Sequence, residues 1–365
     1  MKMQSHKILE LFSGIGGMHY AWNDSGLLGE IVAAIDINTV ANQVYAHNYK
    51  DTNIMNRNIQ SLDANLINKL DPDVLLMSPP CQPYTRNGSQ KDTKDPRSFS
   101  FGHLLSILKD LSTLNYILVE NVKGFETSKS RDALIETLVE CRFKYREFLL
   151  TPWQFGIPNS RLRYYCLARR KQFDDQSQEP VSKVPLTLYC FSYFLQLHRL
   201  PEHEDLEKSF TIGSIIEESC DESYHLPKKF FKRASVLDIC YPDSERSCCF
   251  TKAYTHFLEG TGSVFTKSTP EEVKISFQVC GELNNQSEEY NDILNKLKLR
   301  YFTPREVSRL MAFPDSFDFP AEISRKQRYR LLGNSINVKV NRSYRLGQTS
   351  RLRTGLANPS IVTSC

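Results

Sequence analysis

The sequence predicts an α/β protein with a doubly wound, mainly parallel sheet and a second, smaller unit. Two observations predict this fold. Through the first 170 residues, short apolar segments with strand character alternate with segments of helix length, some of which have apolar residues three and four apart. From residue 172 to about residue 291 this alternation stops, and polar or acidic stretches such as DDQSQEP interrupt short apolar pieces. We therefore expect an inserted smaller domain with mobile loops.

Six segments are predicted to be strands, because each is a short apolar run: KILELF, IVAAID, VLLM, YILVEN, YREFLL and RYYCLAR. Four segments between them are predicted to be helical: MHYAWNDSG, TVANQVYAHN, FGHLLSILKDLSTL and RDALIETLVECR. Helical signals return at TPREVSRLMAF. There, Thr303 and Glu306 predict a capping box with Pro304 at the first helical position.

Composition narrows the class of protein. A chain of 365 residues with 40% hydrophobic content can bury a full core. No apolar run reaches the roughly 18 residues that suggest a membrane helix, and the start lacks a signal-peptide pattern. We expect a soluble intracellular protein, cytoplasmic and nuclear, with no membrane contact. The ten cysteines include no CxxC pair, so reduced thiols and no metal site are expected.

The positive charge is concentrated at the C-terminal end. The formal net charge is +4, and residues 339–365 contain five cations and no acid, which leaves −1 for residues 1–338. The body of the protein is therefore not globally basic, and a nucleic-acid footprint must be a local patch.

The first predicted strand runs into a glycine-containing turn, FSGIGG, with Gly14, Gly16 and Gly17. Asp36 closes the second predicted strand, where an acidic residue usually contacts a ribose hydroxyl. A nucleotide-type cofactor is indicated, although a plain tight turn is the alternative. Nicotinamide enzymes have a third glycine where this chain has His19. The form FxGxGG, with Phe12 preceding, looks like the S-adenosylmethionine loop of methyltransferases.

A cysteine follows the third predicted strand in MSPPCQPYTR. Pro79 and Pro80 stop the strand and hold Cys81 at its end, where open α/β sheets bind ligands. A thiolate that adds to carbon 6 of cytosine makes carbon 5 enamine-like. Glu120 ends the next strand, and desolvation raises the pKa of such a carboxyl, which suits a proton donor to ring nitrogen 3. The alternatives are a structural cysteine in a turn and a surface glutamate.

Two arginines alternate in GIPNSRLRYY. Arg161 and Arg163 project to one face of an incipient strand, where they can position a phosphate or base carbonyl and lower a thiol pKa. A solvated edge strand would carry arginines as well.

These segments resemble the cytosine-5 methyltransferase family. FSGIGGMHYA, PPCQPYTR, ENV, QFGIPNSRLRYY and RYRLLGNSINV stand in the order of that family's motifs and span residues 7–338. More narrowly, CCFTKAYTHFLEGTGS and AAIDINTVANQVY look like the class historically called the second DNA methyltransferase, whose members methylate tRNA.

The resemblance implies the domain organisation and the substrate. A Rossmann-like S-adenosylmethionine-dependent methyltransferase domain would comprise residues 1–171 and 299–338, with a target-recognition domain at 172–298. The implied substrate is tRNA, in particular cytosine 38 in the anticodon loop of aspartate tRNA. A loop base is already partly unstacked, so it costs less to extrude than a duplex base. A monomer is expected.

The resemblance also implies residue roles. Cys81 would be the nucleophile and Glu120 the proton donor, with Arg161 and Arg163 holding the flipped pyrimidine and its phosphate. Residues implied to bind S-adenosylmethionine are Phe12, Ile15, Gly16, Gly17, Asp36, Ile37, Ile59, Gln60, Ser78, Pro80, Asn334 and Ser335. Residues implied to contact the substrate are Asn121, Cys249, Phe250 and Thr251. Most DNA-methylating relatives have Asp near the position of Asn58, so this chain departs from them at the expected adenine contact.

The chain departs from the family at its C-terminal end. The family continues with an apolar helix, whereas residues 339–365 have no apolar 3.6-residue period, so a disordered or weakly ordered basic tail is expected. Loss of that helix would loosen the support of Asn334 and Ser335. A catalytically impaired nucleic-acid-binding variant is therefore one open alternative. A DNA cytosine-5 methyltransferase is the other, because methylation of DNA uses identical chemistry.

Overall fold

A computed structural model of the protein describes residues 5–80, 99–170, 209–257 and 259–342. Its larger sheet contains strands β1 His6–Leu11, β2 Gly29–Asp36, β3 Ile54–Asn56, β4 Val74–Met77, β5 Tyr116–Val122, β6 Lys144–Leu150 and β7 Arg163–Arg169. The spatial order is β3-β2-β1-β4-β5-β7-β6. The first five strands are parallel, and β7 runs antiparallel to β5 and β6. The predicted mainly parallel α/β fold is confirmed. The short β3 was not predicted.

Five helices accompany this sheet in the described residues: α1 Gly17–Ser25, α2 Thr39–Asn48, α3 Ala64–Leu70, α4 Phe99–Ile107 and α5 Lys129–Glu140. Local side chains set where several of them begin. The Asn38 side chain accepts hydrogen bonds from the backbone N–H groups of Val40 and Ala41, and Ser128 accepts one from Arg131. Such caps satisfy donors that the first helical turn leaves free.

Apolar cores lie on both faces of the larger sheet. Successive strand residues point to opposite faces, so Leu9 and Ile117 join one core while Ile8 and Leu118 join the other. Trp22 of α1 belongs to the second core. Burial on both faces explains why the strands are nearly continuous apolar runs in the sequence.

A smaller sheet is formed by β8 Ile239–Cys240, β9 Val264–Phe265 and β10 Arg300–Tyr301. Helices α6 Pro270–Glu282 and α7 Glu288–Lys296 accompany it, where the sequence predicted irregular structure. Thr269 and Glu272 form a capping box at the start of α6, with Pro270 at its first position. The same TPxE pattern occurs at residue 303, where it was predicted.

Three helices follow: α8 Pro304–Leu310, α9 Arg325–Asn334 and α10 Val338–Arg342. Buried residues of α8 and α9 pack in the core of the smaller sheet, and α10 packs against α1 beside the larger sheet. The predicted capping box is confirmed, since Thr303 Oγ1 accepts from Glu306 N at 3.2 Å and Glu306 Oε2 accepts from Thr303 N at 2.8 Å. Helix α10 includes four residues of the segment for which disorder was expected. Val340 is 1% exposed and packs in the core that contains Trp22. Residues 343–365 lie outside the described part.

Within the described ranges, no helix combines the length and apolarity needed to cross a bilayer.

Candidate active site

The candidate active site lies where the parallel strands end. Leu11, at the end of β1, pairs with Met77 at the end of β4, and Met77 pairs with Val119 in β5. Strand β7 begins at the same edge, since Arg163 pairs with Val122. Because β7 is antiparallel, its first residue meets the carboxyl end of β5. Ligands of open α/β sheets bind at this edge.

Glu120, which is buried, and Arg163, which is partly buried, form an ion pair at this edge. Their side chains are 9% and 16% exposed, and Arg163 Nε lies 3.5 Å from Glu120 Oε1. Glu120 pairs with Tyr165 across the ladder, so Arg163 is its diagonal neighbour on the same face. Burial raises the pKa of Glu120, although Arg163 and Arg161 act against this rise. The carboxyl therefore holds its proton to a higher pH than an exposed glutamate does.

The predicted nucleophile, Cys81, lies outside the described residues, but the backbone that leads to it is described as far as Pro80. Asn121 is 1% exposed, and its Nδ2 donates to the carbonyl of Pro79 at 3.3 Å. Asn121 thus ties the end of β5, which carries Glu120, to the segment that precedes Cys81. Its predicted contact with substrate stays a prediction.

Arg161 joins three segments of the chain. Arg161 is 3% exposed. Its Nη1 donates to Phe250 O at 3.1 Å and lies 3.5 Å from Cys249 Sγ. Its Nη2 donates to Gly333 O at 3.1 Å and to Ser335 O. The four Nη hydrogens face protein acceptors, so Arg161 is a clamp between protein segments. Its buried Nε has no hydrogen-bond partner among the described residues. The predicted contact of Arg161 with the base or its phosphate stays a prediction.

The triplet predicted to contact substrate is divided between site and core. Cys249 lies at the site, with Sγ 3.9 Å from Arg163 Nη2. Burial acts against ionisation of its thiol, but the guanidinium groups of Arg161 and Arg163 outweigh burial and hold the pKa of Cys249 below its ordinary value. Phe250 is 2% exposed and packs in the core of the smaller sheet. Thr251 bonds through its backbone across its own loop.

The ends of β1 and β2 fit the adenosine part of S-adenosylmethionine. Asp36 Oδ2 accepts from Gly14 N at 2.9 Å, and Oδ1 accepts from Asn38 N at 2.8 Å, which fixes the carboxylate beside the glycine turn. A Cβ at Gly14 would meet open space. Ile37 is 65% exposed and offers an apolar surface beside the carboxylate. The buried Ser13 Oγ has no hydrogen-bond partner among the described residues. A nucleoside with two ribose hydroxyls suits such a site.

Gly17 packs against the returning chain. A Cβ there would lie 2.7 Å from Ile336 Cγ1 and 3.0 Å from Ser335 Oγ, so the glycine brings the first turn of α1 against Ser335. The remaining predicted cofactor residues follow the ends of β1, β3 and β4 or end α9: Phe12, Ile15, Gly16, Ile59, Gln60, Ser78, Pro80 and Asn334. Ile15 and Ile59 are 2% and 3% exposed and belong to apolar cores. The described residues contain no group of three or more potential metal ligands.

Two residues that shape the site were not predicted. Asn159 Nδ2 donates to Ser247 Oγ at 3.1 Å and to Cys248 O at 2.9 Å, which joins the segment before β7 to the segment between β8 and β9. Gly333 approaches the backbone so closely that a Cβ would lie 2.2 Å from Lys252 N. Both lie in quoted segments, but their partners are distant in sequence and no local pattern reveals them.

Comparisons with known proteins agree with this geometry. The family model described as C-5 cytosine-specific DNA methylase matches residues 6–346. A Spodoptera frugiperda protein named tRNA (cytosine(38)-C(5))-methyltransferase is 51% identical over 339 residues, which cover 92% of this chain and 97% of that protein. A human protein of the same name is 40% identical over 383 residues, covering 93% and 97%.

The fold agrees as well. A crystal structure of a Spodoptera frugiperda DNMT2 mutant matches with a TM-score of 0.81 and 52% sequence identity, covering 92% of this chain and 97% of that chain. The geometry of the site agrees with these matches, since Glu120 pairs with Arg163 at the strand edge and a glycine turn lies beside Asp36. Because the matches extend along nearly the whole chain, we conclude that the chain belongs to the C-5 cytosine-specific DNA methylase family.

Proposed function

We propose that the protein transfers a methyl group from S-adenosylmethionine to carbon 5 of cytosine 38 in the anticodon loop of aspartate tRNA. The observation that carries the proposal is the ion pair of Glu120 and Arg163, beside the backbone that leads to Cys81. The names of the insect and human relatives support cytosine 38 of tRNA as the target. The choice of aspartate tRNA and a monomeric state rest on the family resemblance, and a cytoplasmic and nuclear location rests on the composition of the sequence.

The side chains of the site divide the chemistry between them. The Cys81 thiolate adds to carbon 6 of the cytosine while Glu120 donates its proton to ring nitrogen 3, and carbon 5 becomes nucleophilic. When bound, S-adenosylmethionine supplies the methyl group. The carbon 5 proton is then released to solvent, the Cys81 thiolate leaves carbon 6, and the ionised Glu120 takes back the proton from ring nitrogen 3, which restores the aromatic ring. Arg163 orients the Glu120 carboxyl, and Asp36 with Ile37 would hold the adenosine part of the cofactor.

A local basic surface supports a nucleic-acid substrate. Lys228, Lys229 and Lys232 are exposed on the 3₁₀ segment Lys228–Val236, which precedes β8 of the smaller sheet. Cations grouped on one surface attract phosphates without a large net charge on the whole protein. An unpaired loop base is easier to extrude into the pocket than a base in a duplex.

DNA is the second candidate substrate, because the matching family model is described by action on DNA. The chemistry at the extruded base would be the same. The two substrates therefore have to be compared in one experiment.

The test is transfer of radiolabelled methyl groups to three acceptors: an unmodified aspartate tRNA transcript, the same transcript with uridine at position 38, and duplex DNA. We expect label on the first transcript alone and none with Cys81→Ala. Equal label on the uridine transcript would refute the target position, and greater label on DNA would refute the choice of RNA. A folded wild-type protein that binds cofactor and tRNA but labels nothing would favour the impaired binding variant.

A further inference from the structure

We propose that the aromatic ring of Phe257 stacks on an unpaired nucleobase of the RNA loop that carries the target cytosine. Phe257 is thereby assigned as a substrate-binding residue that contacts a base other than the extruded one. The proposal deepens the proposed function and rests on it in one respect, an RNA loop as the substrate.

Phe257 exposes a type of side chain that folded proteins usually bury. It is 60% exposed, whereas Phe250 and Tyr254 of the same segment are 2% and 4% exposed and pack in the core of the smaller sheet. The exposed His256 lies beside it, with the two ring centroids 4.5 Å apart and the ring planes at 68°. An exposed aromatic ring offers a flat apolar surface of the kind on which unpaired bases stack.

The backbone around Phe257 is held by hydrogen bonds. Its N–H donates to Ala253 O at 3.2 Å, and its carbonyl accepts from Thr261 Oγ1 at 2.8 Å. The hydroxyl of Tyr254 donates to Ser263 O at 2.6 Å. None of these bonds uses the Phe257 ring, so the ring stands on an ordered backbone. A fixed aromatic ring loses little conformational entropy when a base binds to it.

Thr255 adopts a disfavoured backbone conformation at the point where the chain leaves the core. Its φ is 68°, in the left-handed region that a β-branched residue rarely occupies. Thr255 stands between the buried Tyr254 and the exposed pair of His256 and Phe257. Strained residues of this kind cluster at binding sites, where the surrounding structure holds them in place. The strain is therefore located where the exposed rings are presented.

The loop that contains Phe257 begins at the candidate active site. Cys249 Sγ lies 3.9 Å from Arg163 Nη2, and Thr251 N donates to Thr261 O at 2.9 Å, which closes a loop over residues 251–261. Phe257 stands four residues before Thr261. It therefore lies within about 14 Å of the closing pair, at about 3.5 Å per residue. Bases that flank the extruded cytosine can reach the ring.

A basic segment lies beside this loop. Arg233, in the 3₁₀ segment Lys228–Val236, forms an ion pair with Glu259 of the loop. The three exposed lysines of that segment therefore lie on the same side of the protein as the exposed rings. Cations attract the phosphates while an aromatic ring takes the base, which is how proteins bind single-stranded RNA. Bases in a duplex already stack on one another, so the combination fits an RNA loop better.

The test is a double-mutant cycle between the protein and the RNA. Stem-loop RNAs with the anticodon loop of aspartate tRNA are made in which one unpaired nucleotide at a time, other than the target cytosine, lacks its base. Fluorescence anisotropy then gives the affinity of the full-length wild type and of Phe257→Ala for each RNA. For the intact stem-loop we expect Phe257→Ala to lose about 5- to 150-fold in affinity, which corresponds to about 1–3 kcal/mol.

The cycle identifies the stacked base. With one of the base-free RNAs, Phe257→Ala should cause little further loss of affinity, because the ring and the base that it contacts are then both absent. With the other RNAs the two losses should add. This coupling is not expected from a purely structural role of Phe257, which would weaken the binding of every RNA alike.

Two substitutions at the same position separate stacking from apolar bulk. Phe257→Tyr keeps the aromatic face and should bind like the wild type, whereas Phe257→Leu lacks that face and should bind like Phe257→Ala. Ile275→Ala is the control for loss of an exposed apolar side chain, since Ile275 is 50% exposed on α6, and it should leave the affinity unchanged. Thermal unfolding of each variant should show the wild-type midpoint for Phe257→Ala, because the bonds of the loop do not involve the ring.

Four results would overturn the proposal: additive losses with every base-free RNA, wild-type affinity in Phe257→Ala, equal affinities of Phe257→Leu and Phe257→Tyr, or failure of the wild type to bind the stem-loop. The proposed function can fail separately. If the wild type transfers no methyl group to tRNA and the cycle still shows coupling at one base, the stacking contact is established and the proposed activity is refuted.

Discussion

Replacing Gly333 with alanine tests how closely two segments pack behind the active site. Gly333 lies in α9, and a Cβ at this position would be 2.2 Å from Lys252 N and 2.3 Å from Thr251 C. Ordinary contact begins at 3.4 Å, so the two backbones must separate by about 1.2 Å, the difference between 3.4 and 2.2 Å. Neither neighbour is a flexible side chain that could turn away. The Gly333 carbonyl also accepts from Arg161, so the clamp would move with it.

Two opposing free energies set the size of the effect. Alanine favours a helix over glycine by about 1 kcal/mol, whereas an extra carbon in a packed site costs about 1–3 kcal/mol. Because the neighbours are backbone, we take the upper end and expect Gly333→Ala to lower the free energy of unfolding by about 2 kcal/mol. Displacement of Arg161 by about 1 Å should reduce methyl transfer by up to about 100-fold.

The control is Gly281→Ala. Gly281 is an exposed position in α6 where a Cβ would meet nothing within 4 Å. The same substitution should stabilise the protein there by about 0.4–1 kcal/mol. Thermal unfolding and methyl transfer are measured on the same preparations. If Gly333→Ala raises the melting temperature as Gly281→Ala does, the close packing of the two segments is refuted.

Three further outcomes are expected. Glu120→Gln should reduce methyl transfer by about 10²–10⁴-fold, because the amide cannot donate the proton of an acid, and near-normal turnover would exclude Glu120 as the donor. Burial raises the pKa of Glu10 to about 8 in the folded protein, compared with about 4.3 in the unfolded chain. The stability that the protonated Glu10 carboxyl contributes is therefore fully present below the unfolded-state pKa and is lost as the pH rises through the folded-state pKa. Glu10→Gln should therefore gain stability relative to wild type across this interval in urea unfolding at several pH values; a constant difference would contradict the buried acid. Arg300→Leu should destabilise the protein by about 3–5 kcal/mol, because it leaves the fully buried Glu306 unpaired, whereas Lys274→Leu breaks an exposed pair and should shift the unfolding midpoint little.

Most strands could be predicted from the sequence because their burial on both faces leaves a continuous apolar run. VLLM is the clearest example, since all four residues are buried. Residues 54–56 escaped prediction because a strand of three half-exposed or exposed residues has no such run. Helix α6 escaped prediction for another reason: its capping signal is present, but the polar composition of the surrounding segment is typical of irregular structure.

The candidate site also has parts that could be predicted from the sequence and parts that could not. The positions of Glu120 and Asp36 could be predicted, because each lies near the carboxyl end of a recognisable strand, the edge of a parallel sheet at which ligands bind. The protein partners of the arginines could not be predicted. Alternation along a strand predicts a shared face, but Arg161 precedes β7 and turns its guanidinium to carbonyls at residues 250, 333 and 335.

The sequence by itself therefore determined the α/β fold, the family and the acids at the strand ends, because these depend on local periodicity and on motifs of contiguous residues. Only the tertiary structure decided which side chains neutralise one another: that Arg163 contacts Glu120, that Cys249 rather than Cys248 meets both arginines, and that Gly333 must lack a side chain. Charge compensation and close packing act over a few ångströms in space, and the folded chain brings together partners that its sequence keeps far apart.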